Sequence, residues 1–448
     1  MRHIEGLLCI LLFVAADAAA PQPLFAQTDW PSYGHDPGGQ RYSPLAQVNT
    51  QNVTKLKLAW RYGVGGKEVT PLVAGGLMYY SLPAGDFVAA LKPETGKEEW
   101  KYDLGAGAPL RGVAYWPGDG QNPARIIAGS SDGRLTALNA RTGRPIPGFG
   151  VEGWVNLKVG VADKFPEIKY QMSSPAGIYK DLIITGTRGT EYDLTGPLQD
   201  VRAWDVRTGR LVWTFHLNPH PDEFGNDTWP AGSWVDAASP SAWGAISVDV
   251  DRGLVFLPVG QPAVPFYGGQ RPGTNLFGSS VIALDATTGQ RRWHFQITHH
   301  DVWDLDASAI PVLMDVTQRG KTIPAVVVVS KTSLMFFLNR TTGEPIYPVQ
   351  ERPVPQSTVP GEVTSATQPF PVKPPPLSRQ SIGADEIFTA EPGTPSSAAI
   401  WPNRSEGFTT WGPTRRTARR KIVSFFPGKT AESITAVFRS TPRWDMFS

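Results

Sequence analysis

The chain has 448 residues, 41% of them hydrophobic and only 18% charged, with 46 Gly, 42 Pro and 15 Trp, which is the make-up of a turn-rich, β-rich globular protein. A formal net charge of +2 gives no reason to invoke a nucleic-acid partner. The single cysteine is Cys9, so the chain after it has no disulfide, no thiolate zinc site and no CxxCH haem attachment.

In chain order, residues 1–26 read as a secretory signal. Arg2 and His3 supply a short basic region, residues 7–16 are apolar, and small residues follow near 18–20 and 25–27. The apolar run is too short to span a membrane, and no later segment is long and apolar enough. Cys9 precedes most of that run and does not suit lipidation. The expectation is export to the periplasm.

Residues 27–347 carry a repeat: ALKPETGKEEW (90–100), ALNARTGRPIPGF (137–149), AWDVRTGRLVW (203–213), ALDATTGQRRW (283–293) and FLNRTTGEPIY (337–347). Each copy reads as a short apolar strand, a polar x-x-T-G turn and a second strand that often ends in Trp. Glycine supplies the positive φ of the turn, and the Thr hydroxyl can bond the turn backbone. Other short strands lie between the copies. Five copies at a blade-like period predict an all-β chain, a β-propeller, in which Trp100, Trp213 and Trp293 dock one blade on the next. The residues 348–412 are proline-rich and read as an extended, loop-like part of the propeller. In 413–448 the repeat vanishes and basic residues cluster, so this stretch reads as an atypical tail.

Residues 29–60, DWPSYGHDPGGQRYSPLAQVNTQNVTKLKLAW, resemble the N-terminal signature of the pyrroloquinoline quinone (PQQ) dehydrogenases: D-W, a Gly, aromatic-Ser-Pro, then V-N-x-x-N-V-x-x-L-K. His35 stands where that family usually has Arg or Lys. Residues 243–265, WGAISVDVDRGLVFLPVGQPAVP, resemble its second signature, with Val248 for the usual Tyr and Gly253 for the usual acid or amide. The T-G…W repeat is also typical, and the resemblance covers roughly 29–412. HHDVWDLD (299–306) and PFPVKPPPLSRQ (369–380) place it closest to the glucose dehydrogenase branch. The vicinal Cys-Cys pair common in the alcohol dehydrogenases is absent. The resemblance implies an eight-bladed propeller of four-stranded blades with PQQ and a divalent cation on its axis.

It also implies roles, residue by residue. Trp243 would lie beneath the flat cofactor, the alternative being one more docking Trp. Arg111 would bind a carboxylate or a quinone oxygen. Glu68, Ser173, Arg188, Gly189 and Thr190 would contact the cofactor, and Lys331 would bond the quinone oxygen. The cation, expected to be calcium, would take hard oxygens from Glu191, Gln261, Asp304 and Asp306. Gln261 falls where methanol-oxidising members have Asn, one methylene shorter. Asp304 would be the general base, its pKa lowered by the ion, with Asp306 facing the same side of an extended segment. Oxygen-preferring chemistry argues against His299 and His300 as ligands.

The implied activity is oxidation of an aldose, glucose-like, or an alcohol, with electrons passed to cytochrome c or a membrane quinone. The family's Trp-Gly-Gly motif and the blades after the proline-rich segment are not found, and a frameshift or premature stop near 412 would account for this. An inactive truncated fragment and a non-enzymatic propeller scaffold are therefore the competing expectations.

Overall fold

A computed structural model describes residues 29–63, 68–382 and the backbone of 408–409. The expected leader and the tail 413–448 lie outside the described residues. The described chain is all-β, with only single-turn 3-10 helices. No helix among the described residues is long and apolar enough to cross a membrane.

Four antiparallel four-stranded sheets follow in chain order. The first holds β1 (Leu72–Ala74), β2 (Leu77–Leu82), β3 (Phe87–Leu91) and β4 (Glu98–Asp103). The second holds β5 (Ala114–Trp116), β6 (Arg125–Gly129), β7 (Arg134–Asn139) and β8 (Trp154–Asn156). The third is β9 (Gly177–Tyr179), β10 (Leu182–Thr185), β11 (Val201–Asp205) and β12 (Leu211–Phe215), and the fourth β13 (Ser247–Asp249), β14 (Leu254–Pro258), β15 (Ser280–Asp285) and β16 (Arg291–Gln296). A three-stranded sheet, β17 (Val312–Gln318), β18 (Lys321–Val329) and β19 (Met335–Asn339), comes next. The first strands neighbour one another in series, β1 on β5, β5 on β9, β9 on β13 and β13 on β17, so they form the inner wall. Residues 30–40 cross this wall: Trp30 pairs with Val73, and the carbonyls of Pro37 and Gly38 accept from Val248 and Leu313 at 2.8 Å each.

The core lies between sheets rather than within one. Ile126 and Leu138 pack on Val88 and Ala90, Ile184 and Val201 on Val255 and Ile282, and Phe256 and Ala283 on Val326 and Phe336. Strands β6 and β14 are buried along their whole length, which is why they read as continuous apolar runs.

The x-x-T-G turn performs both expected functions. In all five copies the Thr hydroxyl accepts from the N–H two residues on, at 3.2–3.4 Å. Gly143 and Gly289 have φ of 68 and 73, and a Cβ there would come within 2.6 Å of the Trp100 and Trp213 rings. Each Trp therefore stacks on the bare glycine of the next sheet's turn, and its indole N–H donates to a carbonyl of that turn: Trp100 to Ala140 (2.9 Å), Trp213 to Ala286 (3.1 Å), Trp293 to Arg340 (3.0 Å). A fourth such residue was not anticipated. Trp60 stacks on Gly96 and donates to the Pro93 carbonyl at 2.8 Å.

The proline-rich stretch differs from expectation. It contains an antiparallel hairpin, β20 (Val349–Pro353) on β21 (Thr367–Pro371), and one further short pair, β22 (Ser381–Ile382) on β23 (Phe408–Thr409). Pro353, Pro369 and Pro371 sit in this two-stranded ribbon, where a strand has a free side for a residue without an N–H.

Candidate active site

The meander places the candidate residues by a simple rule. In an antiparallel sheet the start of the first strand and the end of the second lie at the same end. Glu68, Arg111, Ser173, Trp243 and Asp304/Asp306 precede β1, β5, β9, β13 and β17, one for each successive sheet. Arg188 to Glu191, Gln261 and Lys331 follow β10, β14 and β18. All of them therefore stand at one end of the inner wall.

Contacts link them. Arg111 pairs with Glu68 at 2.7 Å, and its guanidinium lies 4.9 Å from the centroid of the Trp243 ring. Burial lowers the Arg111 pKa, partly offset by Glu68, while Arg188 is close enough to lower it further. Trp243 does not stack on a T-G glycine; its backbone carbonyl accepts from the hydroxyls of Ser173 (3.2 Å) and Ser174 (2.6 Å). Ser173 also accepts the Arg111 N–H at its own carbonyl, 3.1 Å. Gly260 lets the backbone pass close: a Cβ there would lie 2.9 Å from both Trp243 Nε1 and Asp306 Oδ1.

Lys331 Nζ sits 3.0 Å from Asp304 Oδ1 and 2.9 Å from Asp306 Oδ2. Burial works against its charge, but Asp306 and Asp304 outweigh that and hold the amine above its ordinary value. Asp306 is buried and also accepts the Gln261 N–H at 2.7 Å. The Asp304 carboxyl was expected to be held low by an ion. In the chain alone, burial and the Asp306 charge push it up to about 7, against the pull of Lys331. The segment is also not extended as expected. Asp304 has φ of 62, and this left-handed residue is what brings both carboxylates to one ammonium.

Glu191 pairs with Arg188 at 3.0 Å. The Gly189 N–H donates to Gln199 Oε1, and the Thr190 hydroxyl to Asp193 Oδ2 at 2.7 Å, so these two brace the loop. Gln261 contributes its backbone, not its amide, to Asp306. Among the described residues no group of three or more His, Cys, Asp or Glu side chains is arranged to hold a metal ion. Asp304 and Asp306 share Lys331, and Glu191 is held by Arg188.

Sequence reasoning missed Tyr192. Its ring is 67% exposed, and its hydroxyl is raised by burial and by the nearby charges of Glu191 and Asp304. The two histidines have partners of their own. His299 bonds Gln296 (2.9 Å) and Glu351 (3.1 Å) beside a groove of ≈ 440 Å³ between β16 and the β20–β21 hairpin. His300 is buried, with Nδ1 2.6 Å from the Gly273 carbonyl.

The residues fit a flat polyanionic cofactor. Arg111 lies over the Trp243 ring with Glu68 as its ion-pair partner, and Arg188 and Lys331 bring two further cations to the same end of the inner wall. Comparison with known proteins agrees. The family described as PQQ: glucose/ethanol/alcohol dehydrogenase, beta-propeller domain, matches residues 30–431. The quinate/shikimate dehydrogenase (quinone) of Acinetobacter baylyi is 33% identical over 410 residues, which cover 83% of this chain and 50% of that protein. The quinoprotein glucose dehydrogenase of Escherichia coli is 34% identical over 385 residues, 80% of this chain and 48% of that protein. The chain thus spans about half the length of these curated relatives. The crystal structure of the quinohemoprotein alcohol dehydrogenase of Comamonas testosteroni superposes with a TM-score of 0.63 at 29% identity, covering 78% of this chain and 52% of that one. On its repeat, its inner-wall residues and these matches, the chain belongs to the glucose/ethanol/alcohol dehydrogenase β-propeller family.

Proposed function

We propose that the chain supplies the cofactor side of a periplasmic quinoprotein dehydrogenase that oxidises a CH–OH group of an aldose or alcohol. PQQ is the expected cofactor, with a divalent cation, calcium, and the electrons pass to cytochrome c or a membrane quinone. When bound, PQQ would supply an o-quinone able to accept hydride from an alcohol carbon, and the cation would supply Lewis-acid polarisation.

The observation that carries the reading is Asp304 held by Lys331 next to the Arg111–Trp243 pair. A base must be ionised at working pH and still basic enough to take the hydroxyl proton. In the chain alone burial pushes this carboxyl up, and the Lys331 ammonium at 3.0 Å favours its ionised form. Arg111 offers a planar fork for a cofactor carboxylate, and Glu68 an acceptor for a cofactor donor. Trp243 offers the stacking face. Glu191, Gln261, Asp304 and Asp306 are the oxygen donors for the cation. To take it, Asp304 and Asp306 share or exchange the Lys331 ammonium that neutralises them in the chain alone.

Substrate choice is open to a direct test. The chain is loaded with PQQ and calcium, and dye reduction is followed with glucose, quinate and ethanol. Reduction driven by a sugar or cyclic polyol, abolished by Asp304→Asn, supports the reading. A loaded, folded chain that reduces no dye with any of the three contradicts it.

A further inference from the structure

The first carboxylate of the 299–306 stretch has no part in the chemistry above. Asp301 is 1% exposed. A carboxylate this deep is costly unless donors surround it, and three do. The Ser279 hydroxyl donates to Oδ2 at 2.7 Å, the Leu305 N–H to the same oxygen at 2.8 Å, and the Trp303 N–H to Oδ1 at 2.9 Å. Two of these donors are the backbone amides on either side of Asp304. The side chain of Asp301 therefore staples the backbone on both sides of that residue.

Asp304 needs the staple. A left-handed φ of 62 is unfavourable for a residue with a Cβ and persists only where its surroundings fix it. The anchor of the staple, Ser279, lies in the turn just before β15 of the fourth sheet. The Ser279 N–H donates to the Gly260 carbonyl at 2.9 Å, and the next residue, Gln261, donates its N–H to Asp306 at 2.7 Å. The Lys331 N–H closes the circuit on the Asp306 carbonyl at 3.1 Å. One ring of bonds thus runs from Asp301 through Ser279, Gly260 and Gln261 to Asp306 and back along the loop.

We propose that Asp301 is a positioning residue. Through the Trp303 and Leu305 amides, and with Ser279 as its anchor, it fixes the backbone that presents Asp304 to Lys331. The inference rests on the reading of Asp304 as the base. It separates from a role in blade stability, because its effect is confined to one loop and passes through one side chain.

The test uses the full chain with Asp301→Asn and Ser279→Ala. Asparagine keeps the size but turns an NH2 toward at least one donor, and Ser279→Ala removes a single bond if the first variant folds poorly. Amide hydrogen exchange is read first. Exchange at Trp303 and Leu305 is expected to rise about tenfold for Asp301→Asn, and less for Ser279→Ala, with β14, β15 and β18 unchanged. In the dye assay kcat is expected to fall about 10- to 100-fold with KM within about twofold. On an Asp304→Asn background Asp301→Asn should lower the residual rate no further. Unchanged exchange at the two amides, acceleration spread through β14 and β15, or an equal loss of kcat on both backgrounds would each overturn the inference. If the parent chain itself reduces no dye, the reading of Asp304 as base fails, and the exchange at Trp303 and Leu305 still decides whether Asp301 holds the loop.

Discussion

At Lys331 one ammonium faces two carboxylates, and only one of those reaches water: the Asp304 side chain is 36% exposed, that of Asp306 3%. Removing the ammonium by Lys331→Met leaves Asp306 with the Gln261 N–H alone. This should cost about 3 kcal/mol, most of it recovered by adding Asp306→Asn, as read in a urea-unfolding double-mutant cycle. A Lys331→Met chain as stable as the parent would contradict the account. A second buried carboxylate gives a pH signature away from the site. Burial pushes Asp200 up to about 6, with the His216 and Arg202 charges pulling the other way. Its folded-state pKa is above the ordinary value, so its contribution to stability is present at low pH and lost as pH rises through 6. Asp200→Asn should therefore raise the melting temperature at pH 8 and change it little at pH 3.5, below the ordinary Asp value. The reverse order would refute the assignment. The resemblance points to residues such as Asp304 and Lys331 because each lies in a short motif of this sequence, Asp304 directly after a Trp and Lys331 at the end of an apolar run. Asp301 and Tyr192 were not legible in this way. Asp301 takes one donor, Ser279, from 22 residues away, and its other two donors are backbone amides, which no residue identity announces.

A strand-turn-strand unit explains why the fold could be read. The Thr bond and the positive-φ glycine are both local, so five copies declare themselves in sequence. The docking of Trp on that glycine is not local, yet it follows because only a residue without a Cβ leaves room for the ring. Gly289→Ala should therefore fail twice. It strains φ of 73 and drives a methyl to 2.6 Å from the Trp213 ring. A loss of about 2 kcal/mol is expected in thermal or urea unfolding. Trp213→Ala should cost about 3 kcal/mol or more by emptying the same contact. Additive losses in the double variant would mean that the two do not share one contact. Trp60 escaped notice because no T-G turn precedes it, although it docks on Gly96 as the others dock on theirs. The β20–β21 hairpin escaped because proline content argues for loop, and only the pairing of 349–353 with 367–371 reveals the strands.

On the scale of the whole molecule, strand direction gathers the chemistry. Every first strand begins, and every second strand ends, on the same side of the inner wall, so residues from five sheets converge without any one sheet holding a complete site. Cations and an aromatic ring face one another there, and the carboxylates are each held by a basic partner. On the proposed reading, this wall would hold PQQ by its cations and ring, and a divalent cation by its carboxylates. The most direct measurement is a titration of the chain with PQQ, followed by tryptophan fluorescence, once with calcium and once with a chelator. The account expects saturable quenching that requires calcium and weakens about tenfold or more in Arg111→Ala. A folded chain whose fluorescence does not respond to PQQ, or responds equally with the chelator present, would contradict it.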